Sequence, residues 1–211
     1  MLLECGATPT VEYKLRPPYR NIYFDRGGDQ VLSTGATPLL RAAKGGDVAA
    51  VKLLLKYNAL VDLPTATGVT PLMAAAGMGH SSNPTRGRYK TDAQAAECLR
   101  LLYAAGGRIN ARAANGQMAL HSAAAKGWNE TVEVLAANGA ELEAVDDKGL
   151  TPYDHAAGRY ERAFLEPEPE PKPETMKLLE KLIVAATGRP PKEFHGTYAK
   201  QQLGTAGAVG R

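Results

Sequence analysis

Gly35-Ala36-Thr37-Pro38-Leu39 decides the reading of this chain, because the phrase comes back three times. It returns as Gly68-Val69-Thr70-Pro71-Leu72, as Gly116-Gln117-Met118-Ala119-Leu120 and as Gly149-Leu150-Thr151-Pro152-Tyr153. Thr37 and Thr70 stand 33 residues apart, as do Met118 and Thr151; Thr70 to Met118 takes 48, one period plus 15. A period near 33 marks stacked supersecondary units that share one continuous core.

Working outward from the phrase, Thr37 before Pro38 reads as a helix N-cap followed by Pro at the first helical position. Leu39, Ala42 and Ala43 then place apolar residues at helical spacing, and Gly45-Gly46 stops the helix. A second helix is predicted over Val48–Tyr57, with Val51, Leu54 and Leu55 on one face. Asn58-Ala59 ends it, and the chain runs extended through Leu60–Thr67 before turning at Gly68.

This grammar resembles the ankyrin repeat. The third unit carries the pattern at length, with Gly116, Leu120-His121, Ala123-Ala124 and Gly127, then Val132, Val134-Leu135 and Gly139-Ala140. Met118-Ala119 departs from Thr-Pro, which predicts a cap weaker by roughly 1 kcal/mol there. The resemblance implies an all-α solenoid of helix–turn–helix units with β-hairpin loops and one extended hairpin insertion. Leu2-Leu3-Glu4-Cys5-Gly6-Ala7 looks like the tail of a preceding repeat. The expected organisation is a partial repeat plus insertion over 1–34, a repeat domain over 35–188 with units at 35–67, 68–115, 116–148 and 149–188, and a flexible tail over 189–211. One unit cannot stand alone, since ordering a residue costs about 1–2 kcal/mol of backbone entropy and a few inward side chains do not offset that. A beginning inside a repeat therefore suggests a piece of a longer array.

Three interruptions depart from the period. Ala7 to Gly35 spans 28 residues where nine is usual, and the added stretch holds Tyr13, Tyr19, Tyr23 and Phe24 among Lys14, Arg16, Arg20 and Arg26. Tyr and Arg are enriched at binding hot spots, so this is either a binding finger or a flap over the first unit. A second interruption runs over 80–94 with Arg86, Arg88, Tyr89 and Lys90, a basic loop suited to a phosphate or an acidic partner, or simply solvated. The third, Glu166–Glu174, alternates Glu and Pro and reads as an extended spacer before a helix over Thr175–Ala186.

Composition narrows the function classes. The formal net charge of +3 over 211 residues is far from that of a dedicated nucleic-acid binder. No apolar run reaches membrane-spanning length, and Met1–Gly6 lacks the basic start and apolar core of a signal peptide. Cys5 and Cys98 do not make a disulfide framework, and the compartment is left open. His80, His121, His155 and His195 show neither zinc-ligand spacing nor a His-Glu-x-x-His arrangement. No nucleophile elbow or phosphate loop occurs, and Gly106-Gly107 follows a helix instead of a strand. No enzyme activity, cofactor or metal is expected.

By the resemblance, a partner lies along the hairpin tips and the first-helix faces, which form the concave side. Those positions include Lys44 in the first unit and Thr67, Val69 and Met78 in the second. The third supplies Arg112, Asn115, Gln117 and Lys126, and the fourth Asp147, Lys148 and Arg159. Tyr19 and Tyr23 join them if the first insertion is a finger. The expected partner is another protein with an acidic or polar surface, the chain being a monomer or part of a longer one. The competing expectation is a regulatory or targeting segment of a larger enzyme whose catalytic part lies N-terminal to this chain.

Overall fold

A computed structural model of the chain describes residues 3–12, 31, 34–79, 90–161 and 169–192. Among them stand eight helices: α1 (Pro38–Gly45), α2 (Val48–Lys56), α3 (Pro71–Ala75), α4 (Asp92–Ala104), α5 (Ala119–Lys126), α6 (Asn129–Ala137), α7 (Pro152–Ala156) and α8 (Pro173–Thr187). Each odd helix packs on the even helix that follows it, and contacts also run within the odd row and within the even row. The result is a two-layer stack of four units. Leu39, Leu72, Leu99, Leu102, Leu120, Leu135 and Leu179 are fully buried along one continuous core.

The Thr-Pro phrases act as caps. Thr37 Oγ1 accepts the Leu40 N–H at 3.1 Å, and Thr70 Oγ1 accepts the Met73 N–H at 3.3 Å. Thr151 and Asp154 cap each other reciprocally, at 3.2 and 3.0 Å. Met118 offers no side-chain oxygen, and there the ring of His121 instead accepts the Met118 N–H at 3.2 Å. Among the described residues no strand forms. The expected hairpins are tight turns, each closed by a pair of backbone bonds such as Thr65 N–H to the Val69 carbonyl at 2.9 Å and Gly68 N–H to the Thr65 carbonyl at 2.8 Å. The extended hairpin expected over 11–34 falls mostly outside the described residues.

The helices obey a longer period than 33. Pro38 and Ala119, Val48 and Asn129, Pro71 and Pro152, and Asp92 and Pro173 begin equivalent helices, each pair 81 residues apart. The repeating element is a pair of units, regular then interrupted. The second and third interruptions both end at a lysine laid over the glycine that caps the first helix of the preceding unit. Gly46 has φ +68°, and a Cβ there would lie 2.6 Å from Lys90 Cγ; at Gly127, φ +73°, it would lie 3.2 Å from Lys172 Cδ. The second interruption is shorter than 80–94, because Thr91 and Gln94 form a capping box and α4 begins at Asp92. Likewise α8 starts at Pro173, two residues before Thr175.

Helix α6 is capped from the neighbouring unit. Its N-cap position holds Trp128, which has no acceptor, and the Asp92 carboxylate of α4 takes the role. Asp92 accepts the Glu130 N–H at 2.9 Å, the Thr131 N–H at 3.0 Å and the Thr131 hydroxyl at 2.6 Å. Hydrogen bonds to a charged group are worth about 1.5–3 kcal/mol together with the cost of orphaning their donors. Asp92→Ala is expected to lower stability by about 2 kcal/mol and Asp92→Asn by about half that, read from urea unfolding midpoints. Equal midpoints for wild type and Asp92→Ala would remove this cross-unit cap from the account. At the far end, Arg189 grips Glu143 through both guanidinium nitrogens at 3.1 and 2.6 Å, and the Lys192 N–H reaches the same carboxylate at 3.2 Å. Residues 193–211 of the expected tail lie outside the described residues.

Candidate partner-binding face

The turns that begin each unit are joined to one another by backbone hydrogen bonds. The Ala66 N–H donates to the Thr34 carbonyl at 2.8 Å, the Ala114 N–H to Thr67 at 2.9 Å and the Asp147 N–H to Asn115 at 3.2 Å. One residue per unit thus sets the spacing of the tips along an edge of the stack. Thr67, Asn115, Asp147 and Lys148 stand exposed on that edge, with Gln117 partly exposed.

Behind the last two tips lies a buried polar cluster. His121 Nε2 donates to the Leu150 carbonyl at 3.2 Å while Nδ1 accepts from Met118, so the neutral ring carries its proton on Nε2. His155 Nε2 bonds Asp146 Oδ2 at 3.0 Å with both side chains under 5% exposed. Asp146 Oδ1 accepts the Lys148 and Leu150 N–H groups, each at 2.9 Å. The His155 ring stacks on Tyr160 with centroids 5.1 Å apart and meets His121 edge-on at 5.2 Å. Burial, with the neighbouring His155, pulls the His121 pKa from 6.5 down to about 4, against a smaller opposite pull from Asp146. Burial pushes the Asp146 carboxyl up, but the His155 bond and the two amides outweigh it and hold the group below its ordinary value. His121, Asp146 and His155 are all buried, and the cluster fixes the tip between the third and fourth units.

The family pattern of ankyrin repeats, three copies, matches residues 4–83 and 91–165. This chain belongs to the ankyrin repeat family. The break in the match falls within the second interruption, and the match ends just before the third. Helix α8 lies past the matched residues, yet it packs against α6 and α7 and completes the fourth unit. Ankyrin repeats are protein–protein interaction modules and are generally not catalytic.

On this ankyrin stack the expected contact residues separate into two groups. Lys44, Lys126 and Gln117 are partly exposed, and Thr67, Arg112, Asn115, Asp147, Lys148 and Arg159 are exposed. Arg112 is itself fastened, with one nitrogen 2.8 Å from the Val145 carbonyl and the other 3.6 Å from Glu141. Arg159 pairs with the buried Asp154 at 3.0 Å. Val69 and Met78 are buried, at 4% and 8% exposure, and belong to the core cluster. The second unit has a first helix of only five residues, and neighbours close over it. Tyr19 and Tyr23 lie outside the described residues.

Lys90 is the largest departure from the sequence reading. Expected in a solvated basic loop, it is 5% exposed. Its Nζ donates to the Ala74 and Ala75 carbonyls at 2.7 Å each and to Ala43 at 3.4 Å, and stands 5.1 Å from the centre of the Trp128 ring. One ammonium therefore satisfies the carbonyl ends of α1 and α3, with the indole of the third unit above it. Burial pulls its pKa to about 7; Cys98 opposes this, and Lys44 and Lys126 add to it. Arg86, Arg88 and Tyr89 lie outside the described residues. Sequence reasoning also missed Asp92 and Trp128, whose roles cross unit boundaries and have no local signature.

Cys98 is buried and Cys5 exposed, and burial pushes the Cys98 thiol up to about 11, away from reactivity. Among the described residues no group of three or more His, Cys, Asp and Glu side chains could hold a metal ion. No described helix is long and apolar enough to cross a membrane.

Proposed function

We propose that this chain is a non-catalytic module that binds a partner protein along its tip edge and first-helix face, chiefly over the third and fourth units. The observation that carries the reading is the backbone-linked row of tips. Its backbone bonds space Thr67, Asn115, Gln117, Asp147 and Lys148 along one edge. Lys44, Lys126 and Arg159 flank the row at the far ends of the first helices, and Arg112 lies at the third tip. The partner surface this mixture suits is polar with acidic groups, whose charge tunes encounter and specificity more than raw affinity. The proposed boundaries of the binding domain are residues 35–188.

The chain used as bait in a pull-down, with bound proteins identified by mass spectrometry, names the partner. Lys126→Glu with Gln117→Glu is then expected to weaken binding at least about tenfold by calorimetry, the effect of losing central contacts. Lys177→Glu on the opposite layer is expected to leave it unchanged, with thermal melts confirming that all variants fold. Arg112 is a poor test, because its guanidinium also holds the Val145 carbonyl. Full binding by the double variant would place the interface elsewhere.

A further inference from the structure

We propose that Lys90 is a proton-operated latch across the first three units. Uncharged, it lies locked against the ends of α1 and α3 beneath Trp128; on taking up a proton its side chain withdraws and loosens the far ends of those helices. The proposal stands apart from the partner-binding reading, because it concerns the chain alone.

The geometry brings three units to one nitrogen. Lys90 Nζ donates to the Ala74 and Ala75 carbonyls of the second unit at 2.7 Å each and to Ala43 of the first at 3.4 Å. The Trp128 ring of the third unit is centred 5.1 Å away. The stem of Lys90 covers Gly46, where a Cβ would lie 2.6 Å from its Cγ, and Trp128 Cζ3 would lie 2.8 Å from a Cβ on Gly77. The capping box of Thr91 and Gln94 steadies the adjoining backbone, so release is a swing of the side chain and not a shift of α4.

Both charge states can be seated here, but unequally. A neutral amine has two hydrogens, enough for the two 2.7 Å bonds; the ammonium adds the longer third bond and the attraction of the indole. Against those gains stands the loss of water around a charge that is 5% exposed and whose bonds all go to neutral carbonyls. Burial is the largest cause pulling the Lys90 pKa from 10.5 to about 7; Cys98 on α4 opposes it, while Lys44 at the end of α1 and Lys126 at the end of α5 add to it. Helix α3 brings no titratable side chain over Pro71–Ala75. From α2, Asp47 and Lys52 bear on Cys98, and the Asp92 carboxylate is taken by the α6 amides of Glu130 and Thr131. Between pH 10.5 and 7 a released Lys90 therefore binds more protons than a seated one, so acidification favours release about tenfold per pH unit and little further below 7.

Amide exchange of Gly77 and Met78 in the full chain tests the latch, since their N–H groups bond the Ala74 and Met73 carbonyls beside it. After correction for intrinsic base catalysis, both are expected to exchange about fiftyfold faster at pH 7 than at pH 9, with less than about a twofold further gain by pH 6.5. The Gly68 amide in the tip turn is expected to show no such trend. Lys90→Met fills the seat without a charge and is expected to flatten the profiles of Gly77 and Met78. Competitive labelling of the wild-type lysines with acetic anhydride gives a second reading that needs no variant. Labelling of Lys90 is expected to level off above about pH 7, whereas the exposed Lys181 keeps rising about tenfold per pH unit to pH 9. Parallel exchange profiles for wild type and Lys90→Met, or a Lys90 labelling curve that climbs alongside that of Lys181, would overturn the proposal.

Discussion

Leu72→Ala is expected to destabilise the protein by about 3–4 kcal/mol, the largest effect of any single substitution considered. Leu72 is fully buried at the second position of α3, the five-residue helix between the first and third units. Truncating a buried leucine loses its transfer free energy and leaves a cavity, together worth about 2–5 kcal/mol, with the upper range where neighbours cannot collapse. Here they cannot move far. Met73 and Ala74–Ala76 are themselves fully buried, and the carbonyls of Ala74 and Ala75 are fastened to Lys90. The stack also depends on interfaces between neighbouring units, so damage at α3 weakens the coupling between the first unit and the rest. Urea unfolding followed by circular dichroism should show a lower midpoint and a broader transition than wild type. Leu60→Ala, at a side chain 56% exposed, is the control and should change stability by no more than about 0.5 kcal/mol. A loss under about 1 kcal/mol for Leu72→Ala would contradict the tight packing described for the second unit.

Acid is expected to remove about 3 kcal/mol of stability between pH 6.5 and pH 4 through His121 alone. The folded protein holds this ring neutral, with its pKa near 4, while the unfolded chain protonates it near 6.5. Between those values the unfolded state binds more protons than the folded state, so stability rises with pH across the window and falls as the solution is acidified. A separation of about 2.5 pH units corresponds to the figure given. Asp146 acts in the same direction at lower pH. Its folded pKa is depressed, so its contribution is present above its unfolded value and lost as pH falls through the folded one. His121→Gln should flatten the dependence between pH 6.5 and 4 while leaving the steeper loss below it. A series of urea midpoints at half-unit pH steps measures both. If the variant and the wild type keep parallel profiles, His121 is not the group responsible.

The two predictions probe features of unequal visibility in the sequence. Each Thr-Pro phrase marks a helix start because cap and first turn are local, and Thr37, Thr70 and Thr151 all act as read. His121 stands in the repeat pattern of the third unit, and where Met118 breaks the phrase its ring takes over the cap. The 81-residue period was present in the spacings 33 and 48, but it becomes meaningful only when both interruptions are seen to re-enter over equivalent glycines. Residues that bond across units were not legible. Asp92 serves amides 38 and 39 positions away, and Lys90 reaches a carbonyl 47 positions back. A lysine among arginines in a polar stretch reads as solvated, since nothing local announces three carbonyls waiting for it. Val69 and Met78 were assigned to the contact surface by their place in the repeat, and both are core in the structure. Lys90 and Trp128 lie over the second unit from other parts of the chain, a placement with no local signature.

The tip row has a consequence for how such a chain changes over time. Its three connecting bonds run from peptide nitrogen to peptide oxygen, at Ala66 to Thr34, Ala114 to Thr67 and Asp147 to Asn115. Any residue other than proline can supply the donor, and any residue at all the acceptor. Replacement of the exposed side chains at Thr67, Asn115 or Lys148 therefore leaves the connections that space the units intact. Within a tip the side chains still serve the turn, Thr67 bonding the Thr65 hydroxyl at 2.9 Å and Asn115 accepting the Gln117 N–H at 3.2 Å. A new partner can be acquired by exchange at the tips at the cost of such local bonds, while the spacing of the units and the leucines behind them stay as they are.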